Sequence, residues 1–347
     1  MKRFVMTFAA LLACALAAPA SAQTPLFTET SEIEILIEGP IGALVRAAPR
    51  STEPYAATLT LTGEPQVFEI KLEARGVSRR VSGICSFPPL RLDFDRDDVG
   101  ETLFAGQNRL KLVTRCRGGA NYEQLTVLEY LAYRLYNEIT PLSYRVRPAR
   151  VTYRDSDGRR REETQFGFLI EDIDDVAARN GRVALDVLSG DVPSSGLDPE
   201  IAARAALFQY MIGNLDWDMV QAHAGDECCH NGKLIAARAD ARMAVVPVPY
   251  DFDFSGLVNA PYATPPPSLP VHNVRTRHFR GYCRHNDQMP SAIAHFLARR
   301  DALYALIDGE SRLSASRQRS TRAYLDDFFE TIENPDQVER RLIRRCR

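Results

Sequence analysis

The sequence predicts an α+β protein in two lobes: a β-rich N-lobe carrying one long helix, followed by a mainly helical C-lobe. Three observations lead there. Apolar and polar residues alternate in short runs from Glu32 to about Tyr153, the period of strands covered on one face. After Arg182 the apolar residues recur at helical spacing instead. The chain has 347 residues, beyond the ~250–300 at which single cores stop growing. The expected division is residues 23–178 for the N-lobe and 179–347 for the C-lobe.

The first 22 residues have the pattern of a cleavable signal peptide. Lys2 and Arg3 form a positive n-region, Phe4 to Ala18 an apolar stretch, and Ala20-Ser21-Ala22 the small-x-small cleavage pattern. The apolar run is shorter than the ~20 residues that span a bilayer and is followed by Pro19, so an anchor is disfavoured. A lipoprotein reading through Cys14 meets, in Leu11-Leu12-Ala13-Cys14, a bulky Leu where a small residue is usual. The mature chain is expected in the periplasm or outside the cell, beginning at Gln23, with no transmembrane segment.

The strands follow in order. Ile33 to Ile37, Thr58 to Thr62, Val67 to Leu72 and Leu90 to Phe94 are the clearest. One helix interrupts them, with Asn121 as the expected N-cap and Leu125, Leu128, Leu131, Ala132 and Leu135 on one face, until Thr140-Pro141 stops it. Strands resume at Tyr144 to Tyr153 and Gln165 to Ile170. In the second half, Asp198-Pro199-Glu200 marks a helix start: Asp caps, Pro fits the first turn and Glu favours the positive end. That helix should run to Ile212 and stop at Gly213. Lys233 to Ala236 and Met243 to Val248 read as strands, Pro261 to Pro270 as a loop, and Ser291 to Ile307, Ser311 to Ile332 and Asp336 to Arg345 as helices.

Removal of the signal takes Cys14 and leaves six cysteines, an even number that suits disulfides after export. Cys85 and Cys116 flank a strand and are expected to pair. Cys228 and Cys229 are adjacent, and a trans peptide holds neighbouring Cα atoms about 3.8 Å apart, which disfavours a mutual bond. Each is expected to reach a separate partner, with Cys283 and Cys346 as the candidates. A zinc site at Cys228-Cys229-His230 lacks the C-x2-4-C spacing. Loss of Lys2 and Arg3 leaves 41 basic against 45 acidic residues, a net charge near −4, and nothing suggests nucleic acid.

Chemistry concentrates in Gly213-Asn-Leu-Asp216-Trp-Asp218, His230-Asn231-Gly-Lys233 and Pro249-Tyr-Asp251-Phe-Asp253-Phe-Ser-Gly256. Asp216 follows a helix end, Asn231 precedes a strand and Asp251 follows one, so the three can converge. Phosphoryl transfer uses such a set: a carboxylate beside the acceptor hydroxyl, with an Asn and an Asp holding magnesium against phosphates. Magnesium takes oxygen ligands, which suits Asp and Asn. Taken singly, an Asp after a strand is commonly a turn former and an Asn a cap; the ordered combination is the specific signal.

In that order of motifs the sequence resembles the CotH family of atypical, protein-kinase-like proteins, with its N-x-D loop, downstream His-Asn and P-[WY]-D-x-D element. Upstream, Lys71-Leu-Glu-Ala-Arg75-Gly76 looks like that family's strand ending in Arg-Gly, and Phe166-Gly-Phe-Leu-Ile-Glu171 like its strand ending in Glu. The resemblance covers most of the mature chain. It implies a two-lobed protein-kinase-like fold and ATP- and magnesium- or manganese-dependent phosphoryl transfer, with an exported protein as acceptor. It also implies Asp216 as the catalytic carboxylate and Asn231 and Asp251 as metal ligands, with Arg75 and Glu171 on the cofactor. The usual phosphate-contacting lysine is not evident in Cys85-Ser-Phe-Pro-Pro-Leu-Arg91. Lys111 is the best substitute, with Glu129 or Glu123 as its partner, and Arg79 and Arg91 are further phosphate contacts; a solvated strand lysine and an ordinary helix glutamate are the plain alternative for Lys111 and Glu129.

A non-catalytic pseudokinase that uses its cleft as an envelope binding module is the competing function, and an unrelated metal-assisted hydrolase a third. Kinase-like folds also transfer nucleotidyl groups, so the transferred group stays open. Asp93 to Phe104 lacks the Gly and Glu of a calcium loop. The histidines lack zincin spacing, and no G-x-S-x-G occurs. Arg275, Arg277 and Arg280 either converge on an acidic or phosphorylated substrate or belong to a surface β-ribbon held by Cys283.

Overall fold

The structure, a computed structural model, describes residues 24–222 and 226–347; the signal segment lies outside them. The strands of the N-terminal half are β1 (Ile33–Gly39), β2 (Tyr55–Leu61), β3 (Val67–Ala74), β4 (Leu90–Phe94), β5 (Arg109–Val113), β6 (Val146–Asp155) and β7 (Glu163–Ile170). Helix α1 (Ile41–Ala47) follows β1, α2 (Ala120–Ile139) lies between β5 and β6, and α3 (Ile173–Arg179) follows β7. The C-terminal half adds β8 (Val183–Ala184), α4 (Pro199–Ile212), β9 (Gly232–Ala236), β10 (Val246–Pro249), α5 (Met289–Leu297), α6 (Arg300–Asp308), α7 (Ala315–Glu333) and α8 (Pro335–Arg341).

The seven N-terminal strands form a closed mixed barrel in the order β1-β2-β3-β4-β5-β7-β6. Closure comes from β1, which pairs antiparallel with β2 and parallel with β6, Ile33 opposite Ala149 through Gly39 opposite Asp155. Alternate residues point inward, as the two-residue period of a strand requires. Ile35, Ile37, Leu59, Leu72, Leu92, Leu110, Leu112 and Val151 fill the interior, and Phe68, Phe94 and Phe104 pack together beside them.

This architecture corrects the kinase-like expectation. The fold is α+β, but a closed seven-stranded barrel, a smaller β10-β9-β8 sheet and eight helices among the described residues replace the two-lobed protein-kinase-like arrangement. The parallel β1–β6 ladder joins segments far apart in sequence, and alternation cannot register such a pairing.

Helix α2 is buried almost all round and joins the second core, with α4, α6 and the small sheet. Tyr136 meets Phe208 at 4.3 Å between ring centroids, and Tyr133 meets Phe252 at 4.7 Å. Rings of this size each contribute roughly 1.5–3 kcal/mol by leaving water. The helix starts at Ala120 after Gly119, whose φ of 97° suits glycine, so Asn121 sits in the first turn and is not the cap. The expected Ser291 to Ile307 helix breaks at Ala298-Arg299 into α5 and α6. α4 begins and ends as expected: the Asp198 side chain accepts from Ile201 N–H, and Gly213 closes the helix in the left-handed region.

Cys85 bonds Cys116, as expected. Cys283 bonds Cys346, and Cys228 bonds Cys229, against the expectation of separate partners. The Cys228-Cys229 peptide is cis, which brings the Cα atoms to 3.0 Å, so the trans spacing assumed from sequence does not apply. No described helix is long and apolar enough to cross a membrane.

Candidate active site

Between the barrel wall and the second module lies a cleft of about 600 Å³. Arg75, Lys111 and Arg91 line it from the barrel, and Asp216, His230, Asn231, Asp251 and Asp253 from the other side. Asp216, Asn231 and Asp251, widely separated in sequence, do meet here.

Each owes its position to local chain geometry. After Gly213 turns the chain out of α4, Asn214, 1% exposed, accepts the Asp216 N–H on its side chain at 3.0 Å, while Trp217 Nε1 donates to the Asn214 carbonyl at 2.9 Å. Asn231 enters β9 at φ 51° and Asp251 leaves β10 at φ 62°. Such left-handed backbone is uncommon outside glycine and easiest for Asn and Asp. Tyr250 N–H donates to the Asn231 carbonyl at 3.1 Å, tying the two segments together. The Asp251 N–H donates to the hydroxyl of buried Tyr133 at 2.9 Å, so α2 fixes the Asp251 backbone.

The Asp216 carboxylate is held on both oxygens. His230 Nε2 lies 2.6 Å from Oδ1, and Asn231 Nδ2 donates to Oδ2 at 3.0 Å and to the Asp216 carbonyl at 2.7 Å. That hydrogen bond to Asp216 raises the His230 pKa, against its partial burial. His230 and Asn231 were read from sequence as a motif; the bridge to Asp216 was not.

Beneath these groups sits a buried ionic cluster. Arg79, from the turn after β3, lies 3.5 Å from Glu129 on α2 and 4.0 Å from Asp253, and also donates to the Thr114 carbonyl. Tyr262 donates its hydroxyl to Asp253 at 3.0 Å. Burial, then the neighbouring Asp251 charge, pushes Asp253 up to about 7. Burial and then Asp253 likewise push Glu129 well above the usual carboxyl range. Glu129 therefore pairs with Arg79 and not with Lys111. Glu123 pairs with Arg115 and Arg150.

Lys111 faces the cleft between the rings of Tyr144 and Tyr250, 5.7 and 5.3 Å from their centroids. Burial, then the nearby Arg75 charge, lowers its pKa to about 8. Among the described residues neither Lys111 nor Arg75 has a carboxylate partner in ion-pair range, whereas Arg91 is paired with Glu73 at 2.6 Å. Two cations held together without such partners set a positive potential that favours anions.

Glu171 is placed elsewhere. Its carboxylate takes Arg179 at 2.9 and 3.1 Å and the Arg145 N–H at 2.8 Å, an interlock just past the end of β7, and it does not line the cleft. The three arginines after the loop serve the backbone. Arg277 donates to the Met211 and Tyr324 carbonyls, Arg280 to those of Leu215 and Trp217, and Arg275 to Gly256; none of the segment is strand.

Among the described residues no group of three or more His, Cys, Asp or Glu side chains is placed to hold a metal ion. Magnesium is commonly held by one or two protein ligands, with substrate phosphates and water completing the shell. The donors here fit that use: no described residue hydrogen-bonds the Asp251 carboxylate, and Asn231, with its Nδ2 turned to Asp216, has its Oδ1 left to offer. Comparison with protein-family models and with curated proteins gave no match.

Proposed function

We propose that the cleft binds a phosphoanhydride with magnesium or manganese and transfers a phosphoryl group to a hydroxyl. The donor is ATP and the acceptor an exported protein. One observation carries the reading: Arg75 and Lys111, cations without carboxylate partners, face Asp216, Asn231 and Asp251 across one cleft. Arg75 and Lys111 would take phosphate oxygens. Asn231 and Asp251 would hold the metal, which supplies charge neutralisation on the phosphates when bound. The acceptor oxygen bonds to the terminal phosphorus, the anhydride P–O bond breaks with its electron pair leaving on the diphosphate, and the hydroxyl proton passes to Asp216. The disulfides suit a chain that works after export, in the periplasm or outside the cell.

A second reading, a phosphate-binding module without turnover, draws on the Asp216 carboxylate, whose two oxygens are already engaged by His230 and Asn231. Incubation of the oxidised chain with γ-labelled ATP, either metal and envelope proteins separates the two. Transfer that is lost in Asp216→Asn and Asp251→Asn supports catalysis. Binding of ATP without transfer supports the module, and absence of binding in both metals refutes both.

A further inference from the structure

The loop carrying Asp216 is held from behind by a residue that lies outside the cleft. Arg347 Nη2 is 2.7 Å from Asp218 Oδ2, and its Nε donates to the Arg280 carbonyl at 2.9 Å. Its backbone N–H donates to the Gly281 carbonyl, and its own carbonyl accepts from Cys283. The Asp218 side chain is 11% exposed. Its Oδ1 accepts from the Val220 and Gln221 amides at 2.9 and 3.0 Å and from the Tyr282 hydroxyl at 3.1 Å. Arg280 in turn donates to the carbonyls on either side of Asp216, those of Leu215 and Trp217. Both guanidiniums lie against the Trp217 ring, at 5.5 Å for Arg280 and 5.7 Å for Arg347. One covalent bond keeps Arg347 beside this loop: Cys346, its neighbour, is joined to Cys283.

We infer that Arg347 is a positioning residue for the Asp216 loop, and that the Cys283–Cys346 disulfide is the clasp holding it there. Reduction of this one bond therefore loosens the candidate site. Asp218 is an acceptor that needs a cation to stay buried, since an unpaired buried charge is costly. With Arg347 released, Asp218 turns toward water, the Val220 and Gln221 amides lose their acceptor, and Trp217 loses one of the two cations against its ring. The inference takes Asp216 as the working carboxylate from the proposed function, but the clasp is measurable without activity.

Trp217 is the only tryptophan in the sequence, so its fluorescence reports this loop alone. The test compares the oxidised wild type with Arg347→Gln, Arg347→Lys and the double variant Cys283→Ser/Cys346→Ser. Acrylamide quenching of Trp217 and hydrogen exchange at Val220 and Gln221 should rise in Arg347→Gln and in the double variant. Both should return toward wild type in Arg347→Lys, which keeps the charge. Labelling should show kcat down roughly 10- to 100-fold with KM for ATP little changed, the size expected when a reacting group is misplaced by about 1 Å. Wild-type quenching and exchange in Arg347→Gln would overturn the inference. A wild type that labels nothing counts against the proposed function and leaves the fluorescence and exchange results to decide on the clasp.

Discussion

Replacing Asp253 with asparagine should change how stability depends on pH, and the sign is opposite to that of a typical carboxylate. Asp253 is buried beside Arg79, Glu129 and Tyr262, and burial followed by the Asp251 charge raises its pKa from 3.8 to about 7. Between about pH 4 and 7 the folded chain keeps a proton that the unfolded chain has lost. The folded state then binds more protons, so unfolding free energy falls as pH rises through that window. At 1.36 kcal/mol per pH unit, the rise corresponds to roughly 4 kcal/mol lost between pH 4 and 7. Asparagine has nearly the same shape, can accept from the Tyr262 hydroxyl and cannot ionise; it also removes the charge that ranks next to burial in raising Glu129. Urea unfolding at half-unit steps from pH 4 to 8 should give two curves that meet near pH 4. They should separate as pH rises, with Asp253→Asn the more stable by an amount on the order of 4 kcal/mol above pH 7. Parallel curves, or a wild type that gains on the variant with rising pH, would refute the reasoning.

Tyr133→Phe removes the acceptor of the Asp251 amide and should cost about 1–3 kcal/mol in thermal or urea unfolding; an unchanged midpoint would mean that the amide finds another partner. Gly213→Ala puts a Cβ on backbone at φ 64° and against the Tyr324 hydroxyl, so it should destabilise by more than about 1 kcal/mol. Tyr324→Phe in the same chain should recover part of that loss, and equal stability of the single and double variants would contradict it. His230 gains its raised pKa first from the Asp216 hydrogen bond. Stability from this pair is full below about pH 6.5 and is lost as pH rises through the higher folded value. An NMR titration should place His230 above about 6.5 in the wild type and lower in Asp216→Asn; identical midpoints would remove the coupling. Lys111→Met should weaken binding of pyrophosphate with magnesium by roughly tenfold or more, one charge-assisted hydrogen bond being worth about 1.5–3 kcal/mol, and unchanged affinity would leave the anion site without its lysine.

The sequence was most informative where the cause of structure is local. Asp198-Pro199-Glu200 and Gly213 bracket α4 because a cap, a fixed φ and a left-handed residue act within one turn. The alternation of β1, β3 and β4 gave their faces for the same reason. Barrel closure was illegible, because Ile33 opposite Ala149 is a pairing that neither segment's pattern encodes. That Asp216, Asn231 and Asp251 share one cleft was legible from residue type and order. The partner of Glu129 was not, because Arg79 sits in a short turn beside Arg80 with nothing to single it out. The Cys228–Cys229 bond was missed because the spacing argument assumed a trans peptide. Asp253 had a usable signal, since a second carboxylate two residues after Asp251, followed by Tyr262, is more than a turn requires.

Closure of the barrel also bears on how the cleft can adapt. Every strand of the barrel is paired on both sides, so the wall carrying Arg75, Arg91 and Lys111 has no edge strand that can peel away. Arg79 then ties the turn after β3 to α2 and to the chain after β10, three elements joined at one buried ionic cluster. Removing Arg79 from the cluster would cost about 3–5 kcal/mol, because Glu129 and Asp253 are then left buried without their cation. Opening the cleft by separating the two modules would cost a comparable amount, so adjustment to a ligand falls to the loops. Two border it: the segment from Gly76 to Gly83, with Val77 82% exposed, and the chain from Asp216 to Ala222. The first is pinned by Cys85–Cys116 and by Arg117 donating to the Gly83 and Ile84 carbonyls. The second is pinned through Asp218 and Arg347. Oxidation therefore steadies both margins of the cleft, and the disulfides belong to the construction of the site as well as to the stability of the fold.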